Sequence, residues 1–263
     1  MKINIFQYEF PDMLIKVSSK KEHLEDLCAG KIYMNESGYF RKLEDAYRGD
    51  KFDGRCLISF NNHLGELLEF GPEDEPGQRI KIPLDCIKDF TVGFSGDDKI
   101  PLYCCSQLSE AILYQETETS IRFRDEFVSE MEKFGGYYVL FNKSEFLQNM
   151  LGYIEENHLG GKWGTVSYVN LKSEYSIELL NDNSRNQYDS FFKKDLSYRW
   201  QNEWRILLTS NDLPLIIERN HHYIATIKPL SWFHIGDVSE LRTNAIEIRT
   251  MDETELGEDL SKG

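Results

Sequence analysis

The sequence predicts an α+β fold: a mixed, mainly antiparallel sheet core with few helices. Three observations carry this expectation. Short runs of β-branched, aromatic and aliphatic residues bounded by turn residues recur along the chain, as at Arg55–Phe60, Arg79–Leu84, Tyr137–Phe141 and Trp200–Thr209. Apolar residues at helical spacing are confined to a few stretches, of which Ser144–Asn157 is the clearest. Strands and helices do not follow the regular alternation that a parallel sheet with crossover helices needs.

The elements follow in order. Leu14–Val17 is a short apolar run, and Lys20–Ala29 carries Leu24, Leu27 and Cys28 at helical spacing before Gly30. Lys31–Asn35 reads as a strand and Tyr39–Tyr47 as a second helix. The polar loop Gly49–Gly54 comes next, then strands at Arg55–Phe60, Gly65–Phe70, Arg79–Leu84 and Phe90–Phe94, with a hairpin tip at Gly71–Gly77. Leu102–Cys105 is a further short strand, Phe123–Met131 has helical spacing, and Tyr137–Phe141 is an apolar strand. Ser144 is expected to cap the helix that runs to Asn157, with Phe146, Leu147, Met150, Leu151 and Ile154 on one stripe. Trp163–Asn170, Trp200–Thr209, Leu215–Ile217, Tyr223–Ile227 and Ala245–Ile248 complete the strands.

A chain of 263 residues with 40% hydrophobic and 13% aromatic content can bury a substantial core. It shows no internal repeat, low-complexity tract or interdomain linker, so one domain over 1–263 is the simplest reading, with an acidic tail from about 251 that frays. The net charge of -15 repels phosphate backbones at long range and disfavours a generic nucleic-acid coat protein. It leaves room for a narrow basic cleft or a basic partner. Five scattered cysteines without a CxxC pair suit reduced thiols in the cytoplasm. No apolar run reaches the roughly 18 residues of a membrane span, and Glu9 and Pro11 interrupt any export signal.

Phosphate-binding glycine loops, HExxH and GxSxG are absent, and the six histidines have no ligand-like spacing. The most informative segment is Tyr198–Leu208. On an extended strand Gln201, Glu203 and Arg205 share one face, and Trp200, Asn202, Trp204 and Ile206 the other. One face thus carries an amide, a carboxylate and a guanidinium in a row. Such a row is commonly a set of ordinary ion pairs on a sheet.

A Gln-x-Glu at the start of a late strand resembles the third motif of the ADP-ribosyltransferases. The wider chain is similar to an uncharacterised group of bacterial and phage-encoded proteins with a late QxExR strand. The resemblance runs through Tyr33-Met34-Asn35, Tyr39-Phe40-Arg41, the loop Gly49-Asp50-Lys51-Phe52-Asp53-Gly54, Phe191-Phe192-Lys193-Lys194 and Ile235-Gly236-Asp237-Val238. It implies an ADP-ribosyltransferase-like fold and NAD as substrate. Cleavage of the nicotinamide–ribose bond develops positive charge on the sugar, which a fixed carboxylate stabilises. By the resemblance Glu203 is that carboxylate and Gln201 orients the acceptor. Lys16, Tyr33, Tyr39, Arg41, Arg48 and Arg205 are the candidate dinucleotide contacts, Lys16 standing where the family has Arg or His. The implied acceptor is a macromolecule, protein or nucleic acid, as in a toxin or phage-defence effector with an antitoxin or other protein partner. Two alternatives stay open: a non-catalytic protein-interaction module in which Glu203 and Arg205 form a buried structural pair, and a metal-dependent nuclease using Asp50, Asp53 and Glu203.

Overall fold

Two apolar clusters on opposite sides of one sheet organise the molecule. The computed structural model describes residues 12–43, 51, 53–59, 67–70, 80–83, 89–93, 96–117, 119–171 and 188–247. Its strands are β1 (Met13–Ser18), β2 (Lys31–Glu36), β3 (Cys56–Ser59), β4 (Leu67–Phe70), β5 (Ile80–Pro83), β6 (Asp89–Val92), β7 (Pro101–Gln107), β8 (Leu113–Thr117), β9 (Ser120–Phe123), β10 (Tyr137–Asn142), β11 (Gly160–Thr165), β12 (Ser167–Val169), β13 (Lys193–Asp195), β14 (Glu203–Thr209), β15 (His222–Thr226), β16 (Phe233–Asp237) and β17 (Ile246–Glu247). Its helices are α1 (Lys21–Cys28), α2 (Ser37–Lys42), α3 (Asp125–Met131), α4 (Lys143–Glu156) and α5 (Leu213–Asn220). The fold is mixed α+β, mainly antiparallel, with few helices.

The main sheet has eight strands. Its path is β11-β14-β7-β1-β10-β16, and β2 also pairs with β7 and carries β15. Every pairing in this sheet is antiparallel. The side-chain period of two then sends alternate residues to opposite faces. Leu14, Val139 and Phe141 join Trp204, Ile206 and Leu208 on one face, covered by Leu24 and Leu27 of α1 and by Phe146 and Met150 of α4. Ile15, Tyr138 and Leu140 point the other way, against Phe127, Val128 and Met131 of α3 and the small sheet β8-β9-β17. The pairs β3-β6 and β4-β5 form separate two-stranded ladders.

Gly30 turns the chain from α1 into β2 with φ +89°, and a Cβ there would sit 2.2 Å from the Ile227 carbonyl oxygen. The close approach lets Ile227 N–H donate to the Gly30 carbonyl, which ties the chain after β15 to the end of α1.

Most expected elements are present within a residue or two, and several differ. Leu215–Ile217 is not a strand but lies within α5. Pro214 in the first turn pre-sets helical φ, and burial of Leu213 and Ile217 four residues apart gives the helix an inner face. The cap of α4 is Asn142, whose Oδ1 accepts from Glu145 N–H at 2.8 Å, while the Ser144 hydroxyl donates to Asp12. The strand expected from Trp200 begins only at Glu203, because Leu196–Gln201 forms a 3₁₀ turn and Asn202 is left-handed at φ 39°. The strands β8, β9, β13 and β16 were unforeseen; in β16 Gly236 and the closing Asp237 mask the pattern. The Gly71–Gly77 turn and residues 44–47 of the second expected helix lie outside the described residues.

Candidate functional site

The site is built on β14, held between β11 and β7 so that Arg205 faces Cys104 and Glu203 faces Ser106 in register. Strand alternation places Trp204 and Ile206 in the α1/α4 core and turns Arg205 and Leu207 to the opposite face. That face is roofed by Phe191 and Phe192 from the turn Asp189–Phe192. No water reaches Arg205, which is 0% exposed.

A guanidinium buried this deeply requires a partner for each of its five N–H donors. It has them. Nε donates to Glu203 Oε1 at 2.7 Å, and Nη1 to Asp53 Oδ1 and the Phe191 carbonyl, both at 2.6 Å. Nη2 donates to Asp53 Oδ2 at 3.1 Å and Glu203 Oε2 at 3.3 Å. Glu203 Oε2 also meets Lys194 Nζ at 2.8 Å, and Lys194 donates to Gln201 Oε1 at 2.9 Å. The Asp53 carbonyl accepts from Arg41, whose guanidinium also binds Asp97 and Asp98. The Ser190 hydroxyl donates to the Gly54 carbonyl at 2.9 Å, fixing the segment that carries Asp53.

The buried centre balances: Arg205 and Lys194 against Glu203 and Asp53. Burial alone would raise the Glu203 carboxyl, but Arg205 and then Lys194 overcome it and hold the group far below the usual carboxylate range. The Cys104 thiol goes well above its ordinary value through burial and the Glu203 charge, which leaves it a poor nucleophile. Burial and the same charge push the Tyr168 hydroxyl up, while it accepts from Glu203 N–H at 2.8 Å. Glu203 is thus a permanent carboxylate with both oxygens engaged.

Of the expected site residues, Gln201, Glu203, Arg205 and Arg41 fall into this one connected chain of hydrogen bonds. Gln201 reaches it from the 3₁₀ turn rather than by strand alternation. Lys16 lies beside it, donating to the Cys104 carbonyl at 2.5 Å and lying over the Tyr103 ring. Tyr33 and Tyr39 are exposed instead. Tyr33 stacks on His222 and sits opposite Ile224 in the β2–β15 register. Arg48 and Asp50 lie outside the described residues. Among the described residues, no group of three or more His, Cys, Asp or Glu side chains is placed to hold a metal ion.

Sequence reasoning did not give Asp53 its partner or Lys194 a role. Asp53 lies 152 positions from Arg205, and no spacing rule connects residues so far apart. The usable signal was the pair of glycines around the Asp53 loop, since Gly54 is left-handed at φ +71° and packs on the Phe191 ring. A cavity of about 290 Å³ is lined by Asp97 and Phe191 but not by Glu203. Among the described residues no helix is long and apolar enough to cross a membrane. Comparison with known protein families, curated proteins and solved structures finds no match for this chain.

Proposed function

We infer that the protein is a non-catalytic protein-interaction module in which the Gln201–Arg205 segment is a structural centre. One observation carries this reading: Glu203 and Arg205 saturate each other together with Asp53 and Lys194, inside the fold. A carboxylate neutralised by two cations has no oxygen left for a sugar hydroxyl and little charge to offer a developing cation. Large apolar side chains instead stand outside, with Tyr33 at 53% and Ile224 at 48% exposure on neighbouring strands. A protein partner that covers them is the simplest use of that surface.

A second reading is an NAD-dependent ADP-ribosyltransferase of ADP-ribosyltransferase-like fold, modifying a macromolecule as a toxin or phage-defence effector. It is favoured by the convergence of Gln201, Glu203, Arg205 and Arg41 on one network in which Glu203 and Arg205 are strongly perturbed, a common mark of functional sites. It requires the Asp53 segment to withdraw, because the closed arrangement does not fit a nucleotide sugar at Glu203.

One experiment separates the two. Wild type and Glu203→Gln are incubated with labelled NAD, and released nicotinamide and transferred label are measured beside a thermal melt of each protein. The interaction module predicts no turnover by wild type and a lowered melting temperature for the variant. Turnover by wild type that disappears in a variant of unchanged melting temperature would establish the transferase.

A further inference from the structure

The edge of the main sheet at β15 is open. Three strands end that sheet among the described residues: β11, β16 and β15, the last paired with β2 alone. Ile227 N–H donates to the Gly30 carbonyl, which sets the phase of the β2–β15 ladder. Alternation then turns the backbone groups of Tyr223 and Ala225 towards β2 and those of His222, Ile224 and Thr226 outward. Exposed edges are commonly blunted by charged side chains, proline or bulges, and weakened by glycine. β11 carries Lys162 and three glycines, and β16 carries Gly236 and Asp237. β15 reads His-Tyr-Ile-Ala-Thr and has no acid, lysine, arginine, proline or glycine.

The outer face at that edge is apolar at its centre and free of acids. Ile224 stands opposite Tyr33, at 48% and 53% exposure, while His222 faces Asn35 and Thr226 faces Lys31. Among these side chains the full charge is Lys31, and Asp26 takes it up at 2.9 Å. With 45 acidic against 30 basic residues, two copies of this chain repel each other over most approaches. An acid-free face lets them meet without that repulsion, and it offers a basic partner nothing to bind. The strand is also self-complementary. In an antiparallel pair centred on Ile224, His222 stands opposite Thr226 of the second copy, and each outward N–H meets an outward carbonyl. We propose that β15 pairs antiparallel with β15 of a second copy about Ile224, joining the two main sheets in a symmetric dimer. The proposal rests on the interaction-module reading and names its partner. Tyr33 and Ile224 of both copies then form one row across four strands, each side chain covering its neighbour.

The test follows the full chain by sedimentation velocity over a roughly hundredfold range of concentration. Wild type is expected to accumulate dimer as concentration rises. Ile224→Lys and Ile224→Glu each set like charges directly opposite one another, and each should raise the dissociation constant about tenfold or more. An equimolar mixture of the two should recover dimer, because lysine then faces glutamate. Phe233→Lys, at an exposed position on the β16 edge, should dimerise as wild type does. Thr226→Pro deletes an outward N–H without adding charge, and it carries the test if the Ile224 variants fail to fold. A wild type that stays monomeric, a dimer indifferent to Ile224→Lys and Thr226→Pro, or a mixture that stays monomeric would each overturn the pairing. So would a dimer lost only in Phe233→Lys. Its failure is separable from that of the interaction module: a monomer without NAD turnover ends the pairing alone, whereas NAD turnover by wild type ends the module.

Discussion

Asp53 presents both carboxylate oxygens to the two terminal nitrogens of Arg205, at 2.6 and 3.1 Å, across 152 positions of sequence. The pair ties a loop segment to an interior strand of the main sheet. It also determines what Arg205 is worth. Removing one member of a buried ion cluster strands the charges that remain, at a cost of about 3–5 kcal/mol. Arg205→Met is therefore expected to lose about that much, as measured by urea unfolding. Replacing the whole cluster by apolar groups avoids the stranded charges. Arg205→Met combined with Asp53→Leu, Glu203→Leu and Lys194→Met should regain most of the loss, and a combination no more stable than Arg205→Met would refute the ion-cluster account.

Acid should weaken the protein through Glu203. Its folded pKa is depressed, chiefly because Arg205 and Lys194 outweigh burial. The unfolded chain, with an ordinary glutamate value near about 4.3, takes up the proton first as pH falls. The stabilisation is complete above that value and shrinks as pH drops towards the depressed folded value. Stability in urea followed from pH 6 to pH 3 should decline less steeply for Glu203→Gln than for wild type. Parallel declines would show that Glu203 is not the group that titrates.

The sequence reveals those parts of the fold that local patterns encode. The continuous apolar run Tyr137–Phe141 and the stripe Phe146–Met150 give β10 and α4 directly, because β10 is buried on both faces and α4 buries one face against the sheet. The apolar run at Leu215–Ile217 was too short to reveal its period, and Pro214 with a buried Leu213–Ile217 pair made it helix. At the site, Gln201, Glu203 and Arg205 were recognisable as a unit, but the reason given, strand alternation, holds only from Glu203 onward. The partners that close the site, Asp53 and Lys194, come from tertiary folding, which local spacing does not report.

Phe146 tests the main core. It is fully buried, and its ring packs on Tyr103, Phe141 and Trp204, so it joins α4 to β7, β10 and β14. Truncation leaves a cavity that three strands cannot all close. Phe146→Ala is expected to cost about 3–5 kcal/mol in chemical denaturation. A loss below about 1 kcal/mol would mean that the helix does not pack on the sheet as described.

Gly54 and Gly96 provide a matched comparison of strain with and without steric conflict. Both are left-handed, at φ +71° and +82°, so alanine at either meets the roughly 1–2 kcal/mol penalty of that conformation. At Gly96 an added Cβ finds nothing within 4 Å, and strain is the whole cost. At Gly54 the Cβ would lie 2.2 Å from the Phe191 ring, which must move, and the Phe191 carbonyl is one of the acceptors of Arg205. Gly54→Ala should therefore cost clearly more than Gly96→Ala and also loosen the ion cluster. In a double-mutant cycle the loss from Gly54→Ala should shrink when Arg205 is already Met, whereas the loss from Gly96→Ala should simply add. Equal losses at the two glycines, or strict additivity at Gly54, would show that Phe191 does not couple the loop to the guanidinium.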